Sequence, residues 1–259
     1  MSRTEPDTDA ASLPFVAPCR SIAVGAPLRW LRLGWRDLGA APLQSLALGA
    51  GIAFLSILVC TIALRFGTGW LVLVLLSGFV FVAPVLAIGL YAISAALERG
   101  AQPSLAKCLS ATRRHLGDAL VFSLILMVIC LVWVRAGSMV EIFFPQEAVP
   151  SGSALATFFA IGSAVGSLFA LVVFAASAFA LPMFVDRRTD AVTAVVTSIN
   201  AVLRNKRAML VWALLIVLSV AIGFATALIG LAVTMPLIGH ATWHAYRETI
   251  DAAGWPLNA

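Results

Sequence analysis

Two histidines of this chain have a spacing that suits metal or haem binding. His240 and His244 are four residues apart, so they share one face of a helix near the inner end of the last apolar segment. His115 is expected at the same membrane level, at the start of another apolar segment. An imidazole nitrogen is a common metal ligand, and a carboxylate such as Asp118 or Glu98 would complete the site or orient a ring.

The same histidines also fit a structural role at the membrane interface. The pair lacks the glutamate of a metalloprotease motif, and no third ligand is certain. Trp243 and Tyr246 lie beside it, which is typical of side chains that hydrogen-bond lipid headgroups or loop carbonyls. We therefore expect no metal and no cofactor, and His240, His244 and His115 are the candidate ligands if one is bound.

Acidic and basic residues also stand together at three inner helix ends. These are Glu98 with Arg99, Asp186 with Arg187 and Arg188, and Arg247 with Glu248. They could gate a cytoplasmic vestibule or dock a soluble partner. The interpretation that we favour is that they mark where helices leave the membrane.

Motifs of the common enzyme classes are missing from the sequence. It has no glycine-rich phosphate loop with lysine, no serine or cysteine in an evident nucleophile constellation, and no paired carboxylates at membrane depth. We expect a protein that is not an enzyme. Coupled ion transport is disfavoured for the same reason, whereas a passive or lipid-handling pathway stays open.

The elements that would position these residues are membrane helices. Five long apolar stretches lie between Pro42 and Trp243, with no charged residue near the middle of any of them. About 20 apolar residues cross a bilayer as one helix. The 259 residues are 61% hydrophobic and 11% charged. The pattern predicts an all-α membrane protein with six transmembrane helices, at roughly 42–64, 69–97, 117–140, 153–182, 208–225 and 228–247.

The sixth helix depends on how the last apolar run is divided. Residues 208–239 would form one helix of about 48 Å, which is too long for one ordinary crossing and short for two. A tight hairpin around 223–230 resolves the length, and a single steeply tilted helix is the alternative.

Basic residues predict the orientation. Of the 17 Lys and Arg residues, all but Arg65 and Arg135 fall on one side of the predicted helices. The positive-inside rule then places both termini in the cytoplasm. We predict a disordered cytoplasmic tail over 1–26, a single six-span domain over 27–250 and a cytoplasmic C-terminal tail over 251–259.

Each predicted helical hairpin is preceded by an amphipathic segment. In 27–38, Leu28 and Trp35 share one helical face while arginines share another, and similar segments occupy 104–115 and 190–204. In 190–204 the predicted apolar stripe is a run of valines with Ile199, opposite Thr193 and Thr197. This make-up is typical of helices that lie in the headgroup plane. The residues predicted to face anionic headgroups are Arg29, Arg32, Arg36, Lys107 and Arg114. Membrane lipid is therefore the expected partner, and nucleic acid is not.

Small residues predict close helix packing in the fourth span. Gly162, Gly166 and Ala170 recur at intervals of four, which lets helices approach closely in a membrane. We expect this span either to lie centrally in the bundle or to meet a membrane-protein partner or a second copy of the chain.

Four stretches resemble a known family. PLRWLRLGWRDL from Pro27, GFVFVAPVLAIGLYAISAALERG from Gly78, LPMFVDRRTDAVTAVVTSINAVLRNKRAML from Leu181 and PLIGHATWHAYRE from Pro236 are similar to a family of uncharacterised bacterial integral membrane proteins, a domain of unknown function. The resemblance covers roughly 20–250 and implies a multi-span inner-membrane protein. Members are sometimes labelled as similar to cytochrome c oxidase subunit I, but three histidines are too few for that subunit's haem and copper ligands.

These observations favour a non-catalytic accessory, assembly or lipid-interacting membrane protein. The alternative is a permease for a small molecule or lipid.

Overall fold

The computed structural model describes residues 14–143 and 152–258. This part of the chain contains ten α-helices: α1 (Ala26–Ala40), α2 (Pro42–Phe66), α3 (Gly69–Glu98), α4 (Leu105–Arg114), α5 (Leu116–Phe143), α6 (Gly152–Ser177), α7 (Ala180–Asp186), α8 (Ala191–Arg204), α9 (Lys206–Ala225) and α10 (Leu231–Thr249).

Five of the described helical segments are long and apolar enough to cross a membrane. They are Pro42–Phe66, Ser77–Glu98, Leu116–Met139, Gly152–Asp186 and Lys206–Ala225. The prediction of an all-α membrane protein is confirmed. The predicted sixth span, 228–247, falls on α10, which is not among these five segments.

The starts of several helices are set by capping residues. Pro42 stands at the first turn of α2, where its missing N–H costs no hydrogen bond. The side chains of Thr68 and Ser104 accept hydrogen bonds from backbone N–H groups at the starts of α3 and α4. Asp190 accepts from the N–H groups of Val192 and Thr193, both at 2.9 Å, and so caps α8.

Helix α10 lies at the centre of the described bundle. It packs against α1, α2, α3 and α9, most extensively against α1 and α2. Two glycines permit this approach, because a Cβ atom on Gly49 would lie 2.0 Å from the carbonyl oxygen of Ala232 and one on Gly34 would lie 2.8 Å from that of Leu237. Close backbone contact is the usual role of glycine between membrane helices.

Helix α6 is peripheral, contrary to one of the two expectations for it. It packs mainly on α5 and α8, and the small residues Gly162 and Ala170 are exposed. Gly166 is half-buried, with a Cβ position 3.9 Å from the indole nitrogen of Trp133. The predicted stripe therefore does not place α6 centrally. That it meets another subunit stays a prediction.

A break between α6 and α7 is supported by one serine of α8. The Ser198 hydroxyl donates to the carbonyl of Ala175 at 2.7 Å and accepts from the N–H of Phe179 at 3.0 Å. These backbone groups lose their helical partners at the break, and a neighbouring serine is one way to satisfy them in a membrane protein.

The predicted amphipathic segments form α1, α4 and α8. In α8, Val192 is 53% exposed, whereas Val195 and Val202 of the predicted apolar stripe pack against the core. Thr193 and Thr197, predicted to lie opposite that stripe, are buried. The stripe is therefore divided between the outside and the core, and the small polar side chains of α8 face the protein.

Parts of both predicted tails are packed on the domain. Ala17 and Cys19 are buried, and the N–H of Arg20 donates to the carbonyl of Thr249 at 2.8 Å. On the other side, the N–H of Asp251 donates to the carbonyl of Pro18 at 2.9 Å, and Trp255 is buried. Residues 18–20 of the segment predicted to be disordered are thus held against the C-terminal segment.

Candidate functional site

His240 of α10 is a fully buried ionisable side chain. Its exposure is 0%, and both ring nitrogens have partners. Nε2 lies 2.9 Å from the hydroxyl oxygen of Ser45 in α2, and Nδ1 lies 2.8 Å from that of Ser94 in α3. One imidazole therefore joins three helices.

A carboxylate completes this group of side chains. Asp37 of α1 is 5% exposed, and its Oδ2 atom lies 2.8 Å from Nε2 of His244, one helical turn after His240. Ser94 is a further neighbour of Asp37 that lowers the pKa of its carboxyl. We call Asp37, Ser45, Ser94, His240 and His244 the buried polar network.

Both ring nitrogens of His240 are engaged by serine hydroxyls. A neutral imidazole donates from one ring nitrogen and accepts at the other, so one of the two hydroxyls accepts from His240 and the other donates to it. A carboxylate only accepts, so His244 donates to Asp37.

The environment of Asp37 favours its charged form. Burial alone would raise the pKa of this carboxyl, but the hydrogen bond from His244, together with the neighbouring Ser94, outweighs burial and lowers the pKa below its ordinary value. A charged Asp37 that accepts from His244 ties α1 to α10.

A serine beside a histidine that a further group orients is a possible nucleophile and base. Ser45 and His240 meet the distance requirement, but both have an exposure of 0%. Neither residue lines any of four cavities found among the described residues. The chemistry that this enclosed arrangement supports is the joining of α1, α2, α3 and α10.

The three histidines do not form one site. His240 and His244 belong to the buried polar network, whereas Nδ1 of His115 lies 3.8 Å from Asp118 at the start of α5. Burial, the largest influence, lowers the pKa of His115 and favours its neutral form. Over the described residues no group of three or more His, Cys, Asp or Glu side chains is placed to hold a metal ion.

A second polar cluster surrounds Asp186 at the end of α7. Its Oδ2 atom accepts from the Tyr246 hydroxyl at 2.8 Å, from Nε of Arg187 at 3.0 Å and from Arg247 at 3.1 Å. Arg247 also donates to Glu98 of α3 at 3.0 Å. These ion pairs therefore connect different helices. The sequence analysis grouped Arg247 with its neighbour Glu248, whereas in the structure Arg247 contacts Asp186 and Glu98.

Glu248 in turn holds α1 in place. Its carboxylate accepts from the indole N–H of Trp30 at 2.8 Å and from the guanidinium of Arg29. Trp30 has no exposure and stacks edge-on against Trp212 of α9. Arg29, which the sequence assigned to the lipid headgroups, is thus bonded to the protein.

Sequence reasoning missed three members of the buried polar network. Asp37 was overlooked because it lies among the arginines of α1, and Ser45 and Ser94 resemble any serine in an apolar helix. These three residues are far from His240 in the sequence, and nothing in that spacing indicates that they lie close together in the structure. One signal was available: Asp37 lies on the same helical face as Trp30 and Gly34, a face that the arginine pattern did not explain.

Comparison with known proteins identifies a membrane family over part of the chain. Residues 71–186 match the family model described as Predicted integral membrane protein (DUF2189). The chain is an integral membrane protein. The resemblance to an uncharacterised membrane family is confirmed over this range, which includes Ser94, Glu98 and Asp186 and leaves out the other members of the buried polar network. No curated protein and no solved structure matches the chain.

Proposed function

We propose that this protein is a non-catalytic membrane protein that binds anionic lipid at the cytoplasmic face of a bacterial inner membrane. The observation that carries this proposal is the outer surface of α1. Leu28 and Trp35 there are 61% and 60% exposed, beside the exposed arginines Arg32 and Arg36. An apolar edge flanked by cations matches a helix at the boundary of headgroups and acyl chains.

The opposite face of α1 explains why the outer surface stays free. Trp30, Gly34 and Asp37 are buried against α10, so the helix cannot rotate to hide Leu28 and Trp35. Rigid docking on one side fixes the orientation of the cations on the other. Of the predicted headgroup ligands on α1, Arg32 and Arg36 carry the proposal, since Arg29 is bonded to Glu248.

A second basic surface lies at the corner between α8 and α9. A cleft of about 460 Å³ there is lined in part by Arg204, Lys206 and Arg207. Lys107 is exposed on α4 and Arg114 is exposed at its end. The cations are thus spread around one end of the bundle, which suits an anionic membrane surface better than a single compact ligand.

The proposed topology has six membrane-embedded helices in three hairpins, with both termini in the cytoplasm. It is supported by the placement of the basic residues, since Arg65 lies at the far end of α2 from Arg29, Arg32 and Arg36. Single cysteines at Thr68 and Gln102 test the orientation. An impermeant maleimide added from the periplasm should label Thr68→Cys and leave Gln102→Cys unlabelled. The reverse pattern would invert the orientation.

Lipid retention tests the function. The variant Arg32→Gln with Arg36→Gln is compared with Arg65→Gln and Arg135→Gln, a matched loss of two positive charges on the predicted periplasmic side. Each basic residue near an anionic surface contributes about 1 kcal/mol, so the α1 pair should lower the affinity for phosphatidylglycerol by about 10- to 30-fold.

The measurement is the amount of phosphatidylglycerol that copurifies with each variant from mild detergent, by mass spectrometry. Equal retention by the two double variants would contradict the assignment to α1. A protein partner at constant stoichiometry, lost only with the α1 variant, would show that α1 docks a protein instead of lipid.

A further inference from the structure

We propose that the α9–α10 hairpin enters the membrane from the cytoplasmic side and turns round within the hydrocarbon, and that the apolar cavity beyond its turn holds a hydrocarbon chain of a bilayer lipid. The proposal rests on the proposed topology, which places the start of α9 and the end of α10 on the cytoplasmic side. It concerns a different part of the molecule from the headgroup surface of α1, and lipid binding at either place can fail without the other.

The buried polar network supplies a common level from which helix heights are measured. His240 of α10 lies within hydrogen-bonding distance of Ser45 in α2 and of Ser94 in α3. These three residues therefore mark one layer of the bundle. From this layer α2 continues to Phe66 and α3 begins at Gly69. At 1.5 Å per residue these distances are about 32 and 37 Å, enough for the whole hydrocarbon core.

Helix α10 is much shorter above the same layer. It begins at Leu231, nine residues before His240, which is a height of only about 14 Å. The close approach of Gly49 to Ala232 agrees with this difference in height. It shows that the first turn of α10 contacts α2 near the start of α2 and not near its end at Phe66. The turn between α9 and α10 therefore lies about halfway up the bundle.

The residues of this turn suit a hydrocarbon environment. No charged residue occurs between Arg207 and Arg247, whereas Arg65 lies at the outer end of α2. Thr226 is the polar side chain at the turn, and its hydroxyl donates within its own helix and accepts from the N–H of Gly230 at 2.9 Å. The hydroxyl is therefore satisfied without water.

The backbone of the turn is satisfied in the same way. Every N–H group from 226 to 234 has an acceptor within the hairpin, including Leu228 on the carbonyl of Gly223 at 2.8 Å. Ala227 and Leu228 adopt positive φ angles of 53° and 70° to make this possible. Internal pairing of all these donors is what a turn needs in lipid, where an unpaired group costs several kcal/mol.

Because the hairpin turns at a lower level than the ends of α2 and α3, a space is left beside these two helices. A cavity of about 430 Å³ lies between α2, α3 and the hairpin, lined by Ser56, Cys60, Ala63, Phe79, Phe224 and Leu228 among others. Ligand sites typically have volumes of about 300–1,000 Å³. A smaller cavity of about 100 Å³ shares Ile52, Phe79 and Met235 with it and extends inwards towards Tyr91.

The depth and chemistry of the cavity select its occupant. Its lining is apolar apart from one serine and one cysteine, and it extends above the level of the turn to Ala63. At the proposed depth the cavity is surrounded by the acyl chains of membrane lipids. A narrow apolar space that continues inwards fits one such chain. A polar solute would lose its hydrogen bonds there.

Cysteine accessibility tests the position of the turn. In a chain without the native cysteines, Thr226→Cys is compared with Thr68→Cys at the first outer turn. Impermeant maleimide should label the cysteine at 68 from the periplasm and should label the cysteine at 226 from neither side until detergent is added. Labelling at 226 from the periplasm as strong as at 68 would show that the hairpin crosses the membrane, and would overturn this part of the proposal.

Photocrosslinking tests the occupant. The protein is reconstituted with a phospholipid that carries a diazirine in one acyl chain, and crosslinked peptides are mapped. Modification should be enriched several-fold at 52–63 and at Phe224 relative to the exposed lipid-facing surface of α5. Even labelling across these surfaces in the unaltered protein would overturn the chain site.

Two adjacent substitutions provide the matched comparison. Ala63→Trp fills the cavity, whereas Leu64→Trp adds the same ring at a side chain that is 88% exposed. The first should reduce crosslinking at Phe224 several-fold and the second should leave it unchanged. An equal effect of both would contradict the proposal, and gel filtration establishes that each variant is folded.

Discussion

The Nε2 atom of His240 lies 2.9 Å from the hydroxyl oxygen of Ser45, and neither side chain has any exposure. The pair connects α10 to α2 across 195 residues of sequence. It has the geometry of a nucleophile and its base but lacks a surface from which a substrate could reach it. We therefore interpret it as a structural contact, and this interpretation can be tested directly.

A fluorophosphonate probe should not label the native protein at Ser45. Such probes react with serine hydroxyls that a histidine activates, and Ser45 meets the distance requirement only. The measurement is probe incorporation in native membranes, with Ser45→Ala as the control for site. Labelling that disappears in Ser45→Ala would show that the buried polar network opens to substrates, and the proposal of a non-catalytic protein would be wrong.

Loss of Ser94 should destabilise the protein by about 1–3 kcal/mol. Ser94→Ala leaves the Nδ1 atom of His240 without a hydrogen-bond partner in a fully buried site. The control is Ser123→Ala, since Ser123 also has an exposure of 0% but bonds only to the carbonyl of Ala119 in its own helix. That change should cost under about 1 kcal/mol. Denaturant unfolding in lipid nanodiscs provides the comparison, and equal losses would argue against the network.

Stability should fall on acidification through the titration of Asp37. Its folded-state pKa is lowered, so its charged form contributes stability above the ordinary pKa of 3.8, and this contribution is lost as the pH falls through the lower folded value. The groups that act on the pKa of Asp37 are His244, Ser94 and His240. Melting temperatures between about pH 5 and pH 3 should decline more steeply for the native protein than for Asp37→Asn. Parallel curves would show that Asp37 does not titrate as assigned.

The helices could be predicted from the sequence because their signal is local. An apolar run between charged ends predicted 208–225 and 117–140, and the structure has Lys206–Ala225 and Leu116–Phe143. The capping serine and aspartate of α4 and α8 are also local signals. The height of α10 relative to α2 was harder to predict. It depends on which residue of α2 lies beside His240, and the sequence does not show that this residue is Ser45.

The buried polar network could not be predicted, because its members come from four helices. Asp37, Ser45 and Ser94 acquire their roles only when α1, α2 and α3 surround α10. A repeat of small residues was equally ambiguous: Gly162 in α6 suggested packing but is exposed, while a similar repeat in α2, formed by Ser45, Gly49 and Ala53, is buried and contacts α10 through Gly49. Whether a glycine lies at an interface depends on which helices are neighbours, and the spacing of small residues alone does not predict this.

Gly49 should be the most sensitive glycine of α2. A Cβ atom at this position would lie 2.0 Å from the carbonyl oxygen of Ala232 and 2.6 Å from the ring of Pro236, and neither a helix backbone nor a proline can move aside easily. Gly49→Ala should therefore separate α2 from α10, stretch the hydrogen bond between Ser45 and His240, and cost about 1–3 kcal/mol as an overpacked contact. Gly51→Ala is the matched control, because nothing lies within 4 Å of its Cβ position two residues further along the same helix. The control should be neutral or slightly stabilising, since alanine is a better helix former than glycine. Thermal unfolding of the two variants in the same detergent decides the matter: equal melting temperatures would mean that α10 does not approach α2 as closely as the structure places it.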